Sequence, residues 1–369
     1  MQIADLHITH YKNLRKVHIQ PDARFNYVVG DNGMGKTNLL DAIYYLAFGR
    51  SYFTSSNADE LILFEEDFLR IETHLVTDTA RMSVVAKMPR GGKRIIEHNK
   101  QPVKQITEHI GIIPVVFITP DDGFILLSAS AERRRWMDRT LSMKDQSYLR
   151  ALKGYNKLLR QRNALLKSAP PGQDISQLLE TYDIQMVPFA QQIFKIRKQF
   201  TRSLLPYVLR HYQEISLGRE DVTISYQSQL SEASLHELAK ANYQTDRMTK
   251  RTGKGIHKDD LVIEINGRPI KRFASQGQLK SFVLSLKMAQ YQFLSEQTGK
   301  RPILLIDDIF AKLDASRVQS LLEFLRHSAF GQVFITDTDT GRMRHIFGKS
   351  NGDGAAYKMN EGELQSLSV

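Results

Sequence analysis

Residues 30–37 carry the types and spacing that most directly imply chemistry. Gly30-Asp31-Asn32-Gly33-Met34-Gly35-Lys36-Thr37 fits G-x-x-x-x-G-K-[ST], a loop that wraps nucleotide phosphates. Its glycines let successive backbone N–H groups turn inward as an anion nest. The helix expected next, with Asn38 at its start, adds its positive end. Lys36 can reach the β- and γ-phosphates, and the Thr37 hydroxyl can sit on Mg2+. ATP with Mg2+ is the ligand pair this chemistry asks for.

Two further groups could complete such a site. Ile303-Leu304-Leu305-Ile306 is an apolar run that ends in Asp307-Asp308. Asp307 can hold the metal through water and accept from Thr37. Asp308 can orient or deprotonate an attacking water, so Lys36, Asp307 and Asp308 form the candidate catalytic set. Alone, such a carboxylate pair would as readily cap a helix; the loop upstream gives it the catalytic reading. Ser275-Gln276-Gly277-Gln278 opens a strong helical pattern. A hydroxyl, a flexible glycine backbone and a helix dipole make a second anion site there, although a plain serine cap has the same spelling.

These residues need particular elements to hold them. Phe25–Val29 reads as a short buried strand feeding the loop, and Asn38–Leu46 has helical spacing. Alternating patterns mark strands at Ile3–Tyr11, Val17–Ile19, Phe68–Val76, Arg81–Ala86 and Arg94–Asn99, continuing through Gln105-Ile106. Val115–Ile118 is a buried strand closed by the Thr119-Pro120-Asp121-Asp122 turn. From Ala131 to about Thr201 the pattern turns helical, with Tyr148, Leu152, Tyr155, Leu159 and Leu166 at helical spacings. Ala169-Pro170-Pro171-Gly172 breaks it, which predicts two antiparallel helices with an apolar packing seam. Strands return at Val222–Tyr226 and Leu261–Ile265, followed by the hairpin signal Asn266-Gly267. A helix after Ser275, a strand at Pro302–Ile306, a helix over Ser316–His327 and a strand at Gln332–Thr336 complete the pattern. The expectation is an α/β head, mixed sheet with helices, interrupted by a helical arm: residues 1–125 head, 126–250 arm, 251–369 head again. The long gap from Lys36 to Asp307 fits that interruption.

Composition narrows the class. The chain has 369 residues, 41% of them hydrophobic, and no cysteine. Disulfides, a cysteine-ligated zinc finger and a cysteine nucleophile are thereby excluded. No apolar run approaches the length of a membrane helix, and Met1-Gln2-Ile3-Ala4-Asp5 does not open like a secretory signal, so a cytoplasmic protein without a membrane partner is expected. The net charge of +11 suits a polyanionic partner. Between Ala131 and Ser168 there are eleven Lys/Arg against three Asp/Glu. Arg133, Arg134, Arg150, Lys153, Lys157 and Arg160 are the candidate DNA contacts. They read as phosphate contacts without base readout, because no recognition motif accompanies them.

Taken together, the motifs make the chain resemble the ABC-type ATPases of the SMC kind and, within them, the bacterial RecF family. The resemblance rests on Tyr11-Lys12-Asn13-Leu14, Gly30–Thr37, Ala131–Asp138, Gly255–Leu261, Ser275–Gln278, Asp307-Asp308 and the Tyr357–Leu364 hairpin. It implies an ATP-dependent homodimer in which the signature residues Ser275, Gln276, Gly277 and Gln278 act in trans on a γ-phosphate held by the other copy. It places Asp314 in the loop between the two sites. It implies binding to gapped DNA, double- or single-stranded, with hydrolysis for release; the chain's departures from the family pattern predict that this DNA-stimulated hydrolysis is slow. RecR- and RecO-type mediators and a RecA-type recombinase are the implied partners. The family's Ser-Glu-Leu-Asp stands here as Ala311-Lys312-Leu313-Asp314, and its Gly-Pro-His-Arg-Asp-Asp as Gly255-Ile256-His257-Lys258-Asp259-Asp260. The histidine that transporter relatives carry after the last strand is replaced by Thr336-Asp337-Thr338-Asp339, where Thr336 and Asp337 are the candidate substitutes, and the Thr119–Asp122 turn stands where many relatives carry a metal-binding Gln. The alternatives are a transporter subunit, which has little use for a basic arm, and a structural SMC-type tether, which needs a very long coiled coil.

Overall fold

The computed structural model describes residues 1–53, 57–77, 80–170, 172–216, 220–310, 318, 321, 325, 330–342 and 354–367. The chain opens with β1 (Gln2–Tyr11), β2 (Leu14–Ile19), β3 (Phe25–Val29) and α1 (Lys36–Phe48), then β4 (Phe68–Val76), β5 (Arg81–Pro89), β6 (Ile95–His98), β7 (Gln101–Pro102) and β8 (Val115–Ile118). Next come α2 (Phe124–Leu127), α3 (Ser130–Lys144), α4 (Gln146–Ser168), α5 (Ser176–Ser216), β9 (Val222–Gln227), α6 (Leu235–Ala241) and α7 (Tyr243–Thr249). Then follow β10 (Asp260–Ile265), β11 (Arg268–Pro269), α8 (Ile270–Phe273), α9 (Gln276–Thr298), β12 (Ile303–Ile306), β13 (Val333–Asp337), β14 (Ala355–Asn360) and β15 (Glu363–Leu367).

The chain divides into two compact units, Met1–Asp122 with Leu286–Val369, and Gly123–Ser285. The first holds two six-stranded sheets, ordered β2-β1-β4-β5-β6-β7 and β15-β14-β3-β13-β12-β8. The former is antiparallel throughout. In the latter, β14, β3, β13, β12 and β8 run parallel, with β15 antiparallel at one edge. Every residue of β3, β8, β12 and β13 is buried, as parallel strands covered on both faces require. Ligands of such sheets bind beyond the carboxyl ends of the strands. Here those ends deliver Gly30 from β3, Thr119 from β8, Asp307 from β12 and Asp337 from β13.

The second unit is built on α4 and the 41-residue α5, which continues through Pro188 and Pro206. Tyr148 and Tyr155 of α4 are fully buried between helices, as the seam requires, and Leu166 packs with Ile175 and Leu179 beside the break. This unit runs past residue 250 to Ser285, because β10 pairs with β9 along its whole length. The Asn266-Gly267 turn has both residues at positive φ, 50° and 69°, as a tight hairpin turn needs. Gln105-Ile106 is not a strand: Ile106–Glu108 forms a single 3-10 turn, closed by His109 N–H donating to the Ile106 carbonyl.

Candidate nucleotide-binding site

The phosphate loop is fixed from several sides. Gly30 could not carry a side chain, since a Cβ would stand 2.3 Å from the Met359 carbonyl oxygen; at Gly35 a Cβ would press on the Asn13 and Leu14 side chains at 2.9 Å. Gly33 and Gly35 take φ of 82° and 115°, the left-handed region open to glycine. Asn13 donates to the Gly33 carbonyl at 3.2 Å and accepts from Asn38 at 2.8 Å, and Gly362 N–H donates to the Met34 carbonyl at 2.9 Å. No side chain caps α1, so its first N–H groups remain for a ligand, where the helix dipole favours an anion. Lys36 is buried, its Nζ donating to the Gly30 and Asp31 carbonyls at 2.7 and 2.8 Å. Asp31, Asn32 and Gly33 form the exposed rim.

Across the sheet, Thr37 Oγ1 lies 2.9 Å from both oxygens of Asp307. Thr336 Oγ1 donates to Asp307 Oδ1 at 2.8 Å and accepts from Asp308 N–H at 3.0 Å. Burial pushes the Asp307 carboxyl above its ordinary range; the neighbouring Asp308 adds to the rise, while the Thr336 and Thr37 hydrogen bonds and Lys36 oppose it. Asp308 stands at φ 39°, a sparsely populated conformation for a residue with a Cβ, and its buried Oδ1 has no hydrogen-bond partner among the described residues. A carboxylate oxygen held out of water without a donor is ready to receive one from a ligand water. The hydroxyl and carboxylate oxygens of Thr37 and Asp307 are the hard donors that Mg2+ prefers, and the donor set fits that ion.

Ser275 opens α9 with a reciprocal cap. Its Oγ accepts from Gln278 N–H at 3.2 Å, while Gln278 Oε1 accepts from Ser275 N–H at 2.6 Å. Gln278 also donates to Glu220 at 2.6 Å. The serine cap spelled by the sequence is therefore present, and it leaves the exposed hydroxyl its own hydrogen to donate. Gln276 is exposed and Gly277 half-buried beside it. Asp314 lies outside the described residues.

The cations of the arm separate into two kinds. Arg150, Lys153, Lys157 and Arg160 are all exposed at spacings that put them along one stripe of α4. Arg133 and Arg134 turn inward, a correction to the expected DNA contacts. Arg133 is buried and forks onto Asp260 at 2.6 and 2.9 Å, and Arg134 donates to the Asp259 carbonyl at 2.6 Å. Asp138, which Arg134 or Arg135 could have held, is bound instead by the buried Arg197 at 2.8 Å; Arg135 pairs with Glu132.

Several residues of the site carry no local signal. Asp41 is fully buried under Tyr11, Lys12, Ser51 and the Tyr52 N–H, at 2.6 to 2.8 Å. Lys287 donates to Asp122 at 2.9 Å and to the Phe117 carbonyl at 2.6 Å, which locks the turn after β8. Asp337, which the sequence did mark beside Thr336 after the last strand, is held by Arg342 at 2.9 Å. Thr119 and Asp122 do stand in a Pro-containing turn after an apolar strand, a signal that marked the position without assigning it a partner.

Comparison with known proteins decides the family. The model of the RecF/RecN/SMC N-terminal domain matches residues 2–351. The DNA replication and repair protein RecF of Flavobacterium johnsoniae is 40% identical over 347 residues, covering 94% of this chain and 96% of that one. The chain belongs to the RecF family. The Bacteroides thetaiotaomicron RecF is 37% identical over 368 residues, covering 100% and 99% of the two chains. A structure described as the recombination mediator protein RecF-ATPrS in the RecFOR pathway superposes with a TM-score of 0.89 at 28% identity, covering 100% of this chain and 98% of that one. An Smc head bound to the C-terminal winged-helix domain of ScpA shares the fold, with a TM-score of 0.60 at 16% identity, covering 100% and 98%. The ABC-ATPase head fold of the SMC kind is thus common to the RecF family and to this chain. No helix among the described residues is long and apolar enough to cross a membrane.

Proposed function

We propose that this RecF-family chain is an ATP-gated DNA-binding protein of recombinational gap repair, in which two copies sandwich ATP and each completes the other's site. The observation that carries the reading is a half-site. Thr37, Asp307, Thr336 and Asp308 form one connected group around the phosphate loop, while Ser275 keeps an exposed hydroxyl at the start of α9. A RecF solved with ATP, at a TM-score of 0.88, supports the nucleotide.

In this reading the loop N–H groups and the end of α1 bind the β- and γ-phosphates, and Lys36 neutralises them. Thr37 and Asp307 would hold Mg2+, which supplies charge neutralisation at the phosphates. Asp308 orients the attacking water through Oδ1, which has no donor among the described residues. Ser275 and Gly277 of the second copy close the γ-phosphate, so the triphosphate favours the dimer and its loss removes that bias. Gapped DNA is the proposed polyanion, with RecO- and RecR-type mediators and a RecA-type recombinase downstream. A RecF described as a recombination mediator in the RecFOR pathway supports those partners.

Sedimentation with ATP, with ADP and without nucleotide tests the reading. The chain should dimerise with ATP alone. Ser275→Ala should bind ATP yet stay monomeric, and Lys36→Ala should bind no nucleotide. Ser275→Ala dimers as stable as the parent's would remove the trans role.

A further inference from the structure

A second cluster of chemistry-bearing side chains lies in the antiparallel sheet of the first unit, on residues the nucleotide site does not use. In β1 and β2, His7 pairs directly across from His18. In β1 and β4, Asp5 pairs across from His74. Asp5 and His7 are two residues apart on one strand and so share a face. A bulge between Ile3 and Asp5 sets that phase, keeping Leu6 and Ile8 buried on the other side.

The side chains converge on the one carboxylate. His7 Nε2 lies 2.8 Å from Asp5 Oδ2, and His18 Nε2 lies 2.8 Å from Asp5 Oδ1. The two imidazoles stack with centroids 3.9 Å apart and planes 11° from parallel, so both Nε2 atoms point the same way. His74 Nδ1 stands 3.4 Å from Asp5 Oδ2. One ligand atom from each of Asp5, His7 and His18 can be chosen so that all lie within 4.8 Å of one another.

We propose that Asp5, His7 and His18 form a binding site for a divalent transition-metal ion of the zinc class, distinct from the Mg2+ position at Thr37 and Asp307. Two imidazole nitrogens are borderline donors that suit Zn2+, which also accepts the harder Asp5 carboxylate, whereas Mg2+ prefers oxygen alone. A tetrahedral zinc site with bonds of about 2.0–2.2 Å spaces its ligand atoms about 3.3–3.5 Å apart. The 2.8 Å contacts go to different oxygens of Asp5, Oδ2 for His7 and Oδ1 for His18, and each reaches that spacing by opening about half an ångström, within side-chain freedom at the half-exposed imidazoles. Without metal, each Nε2 must carry a proton for the carboxylate to accept; metal replaces both protons with lone-pair donation. Because β2 is the edge strand of its sheet, the ion would staple it to β1. The ligands sit on paired strands, so the site is largely preformed.

Calorimetric titration of the full-length chain with ZnCl2, without nucleotide, tests the site. The parent should bind one Zn2+ with MgCl2 in excess. His7→Ala and His18→Ala should each weaken that event by at least about tenfold, the scale on which even outer-shell partners of metal sites matter. Folding of both variants is verified by circular dichroism and by unchanged ATP binding. Co2+ in place of Zn2+ should give the visible absorption of a tetrahedral nitrogen–oxygen site, lost in His18→Ala. His236→Ala, an exposed histidine paired with Glu180, is the control and should bind as the parent does. No stoichiometric Zn2+ binding, or equal affinity in the parent and His18→Ala, would overturn the proposal and leave an Asp–His hydrogen-bond cluster only.

Discussion

A single threonine carries much of the order around the two aspartates. Thr336 gives its hydroxyl hydrogen to Asp307 and its oxygen to the Asp308 N–H, while its carbonyl accepts from that same N–H at 3.2 Å. Asp308 holds φ 39° against these contacts, a conformation that costs on the order of 1–3 kcal/mol elsewhere. Thr336→Val keeps the shape and deletes the hydroxyl. Asp307 then loses a donor while buried, which should cost about 1–3 kcal/mol of stability. The larger effect should fall on chemistry: ATP turnover at saturation should drop by about tenfold or more, with nucleotide affinity changed far less, because the phosphate loop is untouched. Thr336→Ser should restore both. Denaturant unfolding and single-turnover hydrolysis read the two effects separately. A Thr336→Val variant with parental turnover would show that the aspartates hold their geometry without it.

At the scale of elements, α1 is pinned at its far end by a buried histidine. His109 Nε2 lies 2.5 Å from the Leu46 carbonyl, which accepts, so Nε2 bears the hydrogen and Nδ1 is left to accept from His98 Nε2 at 2.8 Å. Burial drives the His109 pKa down to about 4, with the backbone bond to Leu46 opposing and His98 and Arg94 adding to the fall. The folded value lies below the unfolded one, so the fold favours neutral His109. Its stabilisation is complete above about pH 6.5 and is lost as pH falls toward about 4, amounting to about 3 kcal/mol over that window. The gap between thermal melts at about pH 7.5 and pH 4.5 should therefore narrow in His109→Gln, which keeps a donor for Leu46 and cannot protonate, while His257, likewise pushed down to about 4 by burial, retains part of it; equal pH sensitivity in both proteins would remove His109 as the cause. This pin also marks where sequence reading stops. Strand–loop–helix at Phe25–Phe48 was legible because periodicity and glycine spacing are local, and the Asn266-Gly267 hairpin because its turn chemistry is. His109, Arg162 and Arg197 were not. Arg162 is buried between Asp183 and Asp246 at 2.6 and 2.7 Å, and Arg197 between Asp138 and Asp259 at 2.8 Å each, partners far away along the chain. One-dimensional charge counting read Arg162, and likewise Arg133 and Arg134, as part of a basic surface, because a buried ion pair and an exposed cation are spelled alike.

For the whole molecule, that distinction changes what the surplus charge of +11 can do. Of the eleven cations between Ala131 and Ser168, Arg133, Arg134 and Arg162 are bound internally and Arg135 is paired with Glu132. Among the other seven, Arg150, Lys153, Lys157 and Arg160 lie along one exposed stripe of α4. If this stripe meets the phosphate backbone, its four charges per copy set the salt dependence. Each phosphate neutralised adds about 0.9 to the slope of log affinity against log salt, so four give a slope near −3.6 and about a 150-fold loss between roughly 50 and 200 mM. The eleven charges taken at face value would predict a far steeper loss. Lys157→Gln with Arg160→Gln should flatten the slope by about 2 per bound copy and weaken gapped and intact duplex alike if only the backbone is met. Arg135→Gln should leave the slope unchanged, its charge being already opposed by Glu132. Fluorescence anisotropy with labelled DNA across a salt series, with ATP present, measures all three slopes. A parental slope in the Lys157/Arg160 variant would move the DNA contact off α4, while a strong preference for one sequence would show that base edges are read as well.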